Sequence, residues 1–131
     1  MNETFPSEEK LKSKKLINSL FLEGDSVYQY PIKLIFFKME KSDKNQFKTG
    51  VSVPKRSFKK AVDRNYLKRL LREVYRKNSH FLKDNMSDSY AFMFIYTAKS
   101  IEDYNQLFTA MEKLMKKFFE KEKANEKVSA K

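Results

Sequence analysis

The 131-residue sequence has no Cys and no Trp, two Gly, three Pro and one His. Without Cys there is no disulfide framework and no thiolate metal site, a usage that fits a reducing, cytoplasmic setting. So few Gly and Pro exclude flexible linkers and Pro-rich tracts, and each such residue becomes an informative boundary. No apolar run reaches the ~20 residues of a membrane helix, and residues 1–10 lack the apolar stretch of a signal peptide, so no membrane partner is expected. The lone His80 stands beside Phe81 with no paired nucleophile. It reads as a surface or helix-terminal residue rather than a general base. Acidic groups are outnumbered, 17 against 28 basic ones. Asp43, Asp84 and Asp88 fall in polar, turn-like segments, and no Asp/Glu cluster reads as a protein-built two-metal site. A self-sufficient nuclease is therefore the least favoured enzyme reading.

What is present is base. Lys and Arg number 28 against 17 Asp and Glu, a net charge of +11. On a chain of this size such a field attracts polyanions. A hydrophobic fraction of 40%, with 12 Phe, suffices for a core. The length suits one domain. Residues 1–12 are expected to be a flexible N-terminal segment, 13–121 the single domain, and 122–131 a disordered basic tail.

Periodicity divides that domain into elements. Ser13 is a candidate N-cap for a helix over residues 14–23, with Gly24 as its stop. Residues 27–39 read as extended. Tyr28, Tyr30, Ile32, Leu34 and Phe36 form the core face, and Gln29, Pro31, Lys33, Ile35 and Phe37 a mixed face. An additional short strand could arise by splitting this segment. A polar turn at 40–45 then leads to a strand at 47–53, returning as a hairpin. A long helix lies within 57–78, with Val62, Tyr66, Leu67, Leu70, Leu71, Val74 and Tyr75 as its apolar stripe. Residues 90–97 form a strand buried on both faces. Ser100 and Asp103 suggest a capping box for a final helix over 101–121, whose stripe is Leu107, Met111, Leu114, Met115 and Phe118. The last two strands, joined through a helix, should be parallel. The class is α/β.

The charge is concentrated. Residues 55–77 hold Lys55, Arg56, Lys59, Lys60, Arg64, Lys68, Arg69, Arg72, Arg76 and Lys77. Only Asp63 and Glu73 oppose these ten cations, leaving +8. At about 100° per residue, Arg64, Lys68, Arg72 and Arg76 share one side of the helix, with Asn65 and Arg69 in the same sector. A solvated face held by ion pairs would need more acid than Glu73, and like charges four apart repel. A polyanion partner is the stronger reading, and Arg suits bidentate phosphate contacts.

Residues 50–78, GVSVPKRSFKKAVDRNYLKRLLREVYRKN, resemble the protein subunit of bacterial ribonuclease P. The resemblance rests on the strand GVSV, the pair Lys55–Arg56, and the run of Ala61, Val62, Arg64, Asn65, Lys68, Arg69, Arg72, Glu73 and Arg76. The N-terminal FPSEEKLKSKKLINSLFLEG is similar to the family's opening. The chain departs from the family at Tyr66, where Arg is usual, and in the loop 57–60, which has no Gly.

The resemblance implies an α/β sandwich like the second domain of ribosomal protein S5, with a mixed sheet and the basic helix in a left-handed βαβ crossover. It implies removal of the 5′ leader from precursor tRNA, catalysed by the RNA subunit with Mg²⁺ bound mainly by that RNA. The implied partners are that RNA subunit and precursor tRNA. By resemblance the basic helix face abuts the RNA subunit. A leader-binding cleft would match Ile17, Phe21, Lys33, Ile35 and Ser52; for Ile17 and Phe21, core packing is the competing reading. A ribosomal or general RNA-binding protein is the alternative function. A DNA-binding helix module is disfavoured, because the long helix lacks a short preceding helix and turn.

Overall fold

The structure, a computed structural model, describes residues 14–39, 47–86 and 88–129, with side chains placed through Ala124. Ser13, Asp43 and the 1–12 segment lie outside the described residues. The elements in chain order are α1 (Lys14–Glu23), β1 (Asp25–Gln29), β2 (Ile32–Lys38), β3 (Phe47–Ser52), α2 (Ala61–Asn85), β4 (Tyr90–Tyr96) and α3 (Tyr104–Ser129). The four strands form one mixed sheet in the order β1-β2-β4-β3.

Pro31 decides the first departure from expectation. It cannot donate to a ladder, and the chain turns at Tyr30–Pro31, splitting residues 27–39 into the antiparallel pair β1–β2. Ile32, Leu34 and Phe36 are buried as expected. Tyr28 and Tyr30, assigned to the same face, lie across the turn and are 49% and 54% exposed. The second departure concerns β3, which does not return as a hairpin on β2. Strand β4 lies between them, antiparallel to β2 and parallel to β3. The physical reason is β4 itself. Its YAFMFIY sequence is buried on both faces, so it is most stable at a central position, with β3 left at the edge.

One sheet face carries Tyr90, Phe92, Phe94 and Tyr96, flanked by Ile32, Leu34, Phe36 and Phe47. Helices α2 and α3 close this face. Phe118 of α3 meets Phe36, Tyr90 and Phe92 edge-on, with ring centroids 4.8, 5.0 and 5.1 Å apart, and Tyr75 of α2 lies 5.2 Å from Phe94. Helix α1 lies against β2 and β4 on the other face, with Leu20 fully buried. Gly24 ends α1 through close approach rather than a left-handed turn. A Cβ there would collide with the Leu20 carbonyl oxygen and stand 2.9 Å from that of Phe36, and no residue described has positive φ.

Helix limits also differ from expectation. Helix α2 runs to Asn85 because Ser79 and Leu82 continue its buried stripe. His80 and Asp84 are therefore exposed helical residues. Helix α3 begins with a capping box made by Asp103 and Gln106, not Ser100 and Asp103. Asp103 Oδ1 accepts from the Gln106 N–H at 2.9 Å, and Gln106 Oε1 accepts from the Asp103 N–H at 3.2 Å. At its other end α3 continues to Ser129, through most of the stretch expected to be a disordered tail. That stretch is rich in Glu, Lys and Ala, strong helix formers, and Glu122 is buried with its carboxylate accepting from the Tyr90 hydroxyl at 2.5 Å. Asp88 is likewise not a solvated turn residue: it is buried and pairs with Lys38 at 3.1 Å.

Candidate nucleic-acid interface

The buried stripe of α2 comprises Leu67, Leu71, Val74 and Tyr75, with Leu70 partly covered. Val62 and Tyr66, expected in that stripe, are 70% and 43% exposed. They sit on the far side of the helix, beside Arg69. The stripe is narrower than the sequence suggested because, at about 100° per residue, Val62 and Tyr66 turn away from Leu67, Leu71 and Val74. The outward face of α2 therefore combines Asn65, Arg69, Arg72 and Arg76 with Val62 and Tyr66, all exposed.

The cations on and before α2 have different surroundings. Arg64 does not point freely outward. Its Nη1 donates to the Phe58 carbonyl at 2.8 Å and the Lys59 carbonyl at 2.9 Å. These bonds hold the loop 57–60, while Phe58 plugs into the core beside Tyr96. A glycine-free loop is thereby fixed by a guanidinium and an aromatic anchor, and it presents Lys59 and Lys60 to solvent. Arg76 and Lys77 pair with Glu73 at 2.8 and 3.5 Å. The Arg76 hydrogen bond, partly opposed by burial, holds the Glu73 carboxyl below its usual range. Among the described residues Lys55, Arg56, Lys59, Lys60, Lys68, Arg69 and Arg72 have neither a hydrogen-bonding side-chain partner nor an ion pair. Their charge is uncompensated locally, as an anion-binding face requires.

The second surface lies on the sheet face bearing α1. Lys33 and Ile35 project there from β2. Register pairing places Lys33 opposite Ile95 of β4, and Ile95 opposite Ser52 of β3. Lys33, Ile95 and Ser52 thus form one row across three strands. Ile17 is half-buried on α1, but Phe21 is 54% exposed, which removes core packing as the account of Phe21. A Cβ at Gly24 would lie 3.1 Å from the Ile35 side chain, so the end of α1 bears directly on this face.

Beyond Ile95 the row opens into a groove of about 520 Å³, lined by Pro54, Arg56, Ser57, Ile95, Tyr96, Thr97 and Lys99. It sits at the C-terminal ends of the parallel strands β3 and β4. Tyr96 shapes the wall: its hydroxyl donates to the Ser100 carbonyl at 2.6 Å and accepts from the Glu102 N–H at 2.9 Å. Burial raises the Tyr96 phenol above its usual pKa. The groove joins the sheet row to Arg56, at the root of the basic helix. Lys99 escaped the sequence reading because it lies far from the basic motif, and only the sheet order brings the two loops together.

No three His, Cys, Asp or Glu side chains among the described residues gather to hold a metal ion. Asp25, Glu73, Asp88 and Glu122 are each engaged by a basic or phenolic partner. Those four carboxylates are thus taken up by protein partners rather than grouped as the oxygen ligands that Mg²⁺ takes. No described helix is long and apolar enough to cross a membrane.

Comparison with known proteins matches this architecture. The family model for ribonuclease P matches residues 5–119. The ribonuclease P protein component of Porphyromonas gingivalis is 32% identical over 108 residues, covering 80% of this chain and 79% of that protein. That of Clostridium botulinum (strain Langeland) is 34% identical over 111 residues, covering 84% and 94%. Among solved structures, the RNase P protein from Thermotoga maritima superposes with a TM-score of 0.66 at 23% identity, over 83% of this chain and 96% of that one. The Staphylococcus aureus RNase P protein gives 0.62 at 21% identity, over 82% and 93%. These structures share the fold, and the sequence matches carry the kinship: the chain belongs to the ribonuclease P protein family.

Proposed function

We propose that this chain is the RNA-binding subunit of ribonuclease P, assisting a catalytic RNA in removing the 5′ leader from precursor tRNA. The observation that supports this reading best is the row of uncompensated cations on and before α2, in a chain of this family. Lys55, Arg56, Lys59, Lys60, Lys68, Arg69 and Arg72 contact RNA phosphates, with Arg76 at the end of the row and Asn65 between them. Arg64 contributes by fixing the loop that carries Lys59 and Lys60. Ile17, Phe21, Lys33, Ile35 and Ser52 receive the single-stranded leader. Phosphodiester cleavage is the work of the RNA subunit, with Mg²⁺ held mainly by that RNA.

The test is reconstitution. The protein alone should leave precursor tRNA uncut in Mg²⁺, and should restore 5′ cleavage at low salt when a ribonuclease P RNA is added. Specific cleavage by nuclease-free protein, or recovery of ribosomal RNA in place of the ribonuclease P RNA from cells, would overturn the reading. Phe21→Ala should weaken binding of precursor tRNA more than mature tRNA, since only the precursor carries a leader. Because Phe21 is half-exposed, the variant should melt close to wild type.

A further inference from the structure

The row Lys33–Ile95–Ser52 continues one strand further than the leader cleft described above. Tyr28 of β1 is the register partner of Lys33, so Tyr28, Lys33, Ile95 and Ser52 cross all four strands on one face. At the ~4.8 Å spacing of neighbouring strands the row spans about 14 Å. Single-stranded nucleic acids bind to surfaces that combine cations for the backbone with aromatic faces for the bases. This face has the cations: Lys33 within the row, Arg56 and Lys99 in the adjoining groove. In the cleft itself Phe21 offers an exposed ring from α1, but on the strand side Ile35 offers apolar contact and no aromatic plane.

Tyr28 supplies one, and its placement has no packing explanation. Its ring is half-exposed, while the core-facing side of β1 is carried by Val27. It is also held in place. The Tyr28 carbonyl accepts from Lys117 Nζ at 2.8 Å. The phenol oxygen lies 3.5 Å from Thr97 Oγ1, which donates to the Pro31 carbonyl at 3.0 Å. Thr97 in turn lines the cationic groove. The Tyr28 backbone is thus anchored by Lys117, and the far end of the ring lies beside Thr97 without a strong hydrogen bond to it.

We propose that Tyr28 is a base-stacking platform for the single-stranded leader, supplied from the edge strand β1. The proposal rests on the leader-cleft reading given under the proposed function and adds to it a residue outside the motif. The cross-strand pair with Lys33 is compatible with that role, since a base on the ring leaves the ammonium free for the adjacent phosphate.

The experiment uses holoenzyme reconstituted from a ribonuclease P RNA and the full chain, with precursor tRNA carrying 2-aminopurine in its leader and mature tRNA as control. Tyr28→Ala should weaken precursor binding roughly 5- to 100-fold, the range of one lost base stack, and leave mature tRNA unchanged. The 2-aminopurine quench seen with wild type should disappear. Tyr28→Phe should keep the quench and bind within about twofold of wild type, because a 3.5 Å hydroxyl contact is marginal as a hydrogen bond. Should Tyr28→Ala fail to fold by circular dichroism, Tyr28→Leu keeps the bulk without the plane and must lose the quench as well. A folded Tyr28→Ala holoenzyme with wild-type precursor affinity and intact quench overturns the Tyr28 assignment alone. A wild-type holoenzyme with no preference for precursor over mature tRNA overturns the leader cleft and Tyr28 together.

Discussion

Helices α2 and α3 are near twins in length, 25 and 26 residues, and they cover the same face of the sheet. Both are basic: α2 carries seven Lys and Arg against three acids, α3 six Lys against four Glu. Their cations serve different ends. On α3, Lys117 donates to the Tyr28 carbonyl, Lys121 to Asp25 Oδ1 at 2.9 Å and the Ser26 carbonyl at 3.0 Å, and Lys123 covers the Phe119 ring at 5.0 Å. These lysines fasten the edge strand β1 and cover apolar surface. On α2, Lys68, Arg69 and Arg72 have no internal anion. Net charge alone cannot tell these helices apart. What separates them is whether the fold supplies each cation with a partner.

That contrast can be broken most severely on the side of α3. Phe118 is fully buried at the centre of three edge-on ring contacts. Phe118→Ala should lower stability by about 3–5 kcal/mol, measured by denaturant unfolding. RNA affinity per folded molecule should be retained. A folded variant with large RNA-specific loss would mean that α3 also carries the interface.

The complementary change on α2 should reverse the pattern. Arg72→Ala should leave the melting curve nearly unmoved and weaken binding to the RNA subunit. Its plot of log K against log salt should become shallower by roughly 0.7–0.9, the release expected for one phosphate contact. Arg72→Glu should bind more weakly still, because repulsion is added to lost attraction. An unchanged salt slope for both variants would remove Arg72 from the interface.

Lys121→Ala tests the fastening role of α3. The Lys121 hydrogen bond to Asp25, the largest influence there, lowers the carboxyl pKa. A lowered carboxyl pKa stabilises the fold above its usual value, and that stabilisation is lost as pH falls through the lowered value. Lys121→Ala should therefore flatten the acid limb of the stability–pH curve slightly. The pair is well exposed, 38% and 50%, so the cost at neutral pH should stay below about 1 kcal/mol. The smallest effect belongs to Lys116→Ala, an exposed cation of α3. It should change neither stability nor RNA affinity. Lys117 is unsuitable as that control because it holds β1. Equal losses of affinity from the Lys116 and Arg72 changes would mean diffuse attraction to a +11 protein and would erase the contrast.

Much of the fold was legible because local patterning is strong where burial is one-sided. The limits of α1, the buried stripe of α3 and the central placement of β4 follow from period and apolar content alone. The basic motif was equally plain, being contiguous in sequence. Errors arose where a residue answers to a partner distant in the chain. Tyr28 and Tyr30 matched the alternation of a core strand, and the available signal, Pro31, was read as a strand position rather than a turn. Val62 and Tyr66 were counted in the helical stripe of α2, but the helix turns them to the side opposite Leu71, where they stay exposed. Arg64 looked like one more outward cation until the carbonyls of Phe58 and Lys59 came within reach.

By itself the sequence determined an α/β chain with enough apolar residues for a core and a strongly basic helix, because composition and periodicity act through neighbours three or four residues away. Only the tertiary structure decided which cations stay uncompensated. It also decided that β4 separates β2 from β3, and that Tyr28, Lys33, Ile95 and Ser52 share one row. Strand order is chosen by how much apolar surface each strand buries on both faces, a competition among segments up to 70 residues apart that no local pattern records.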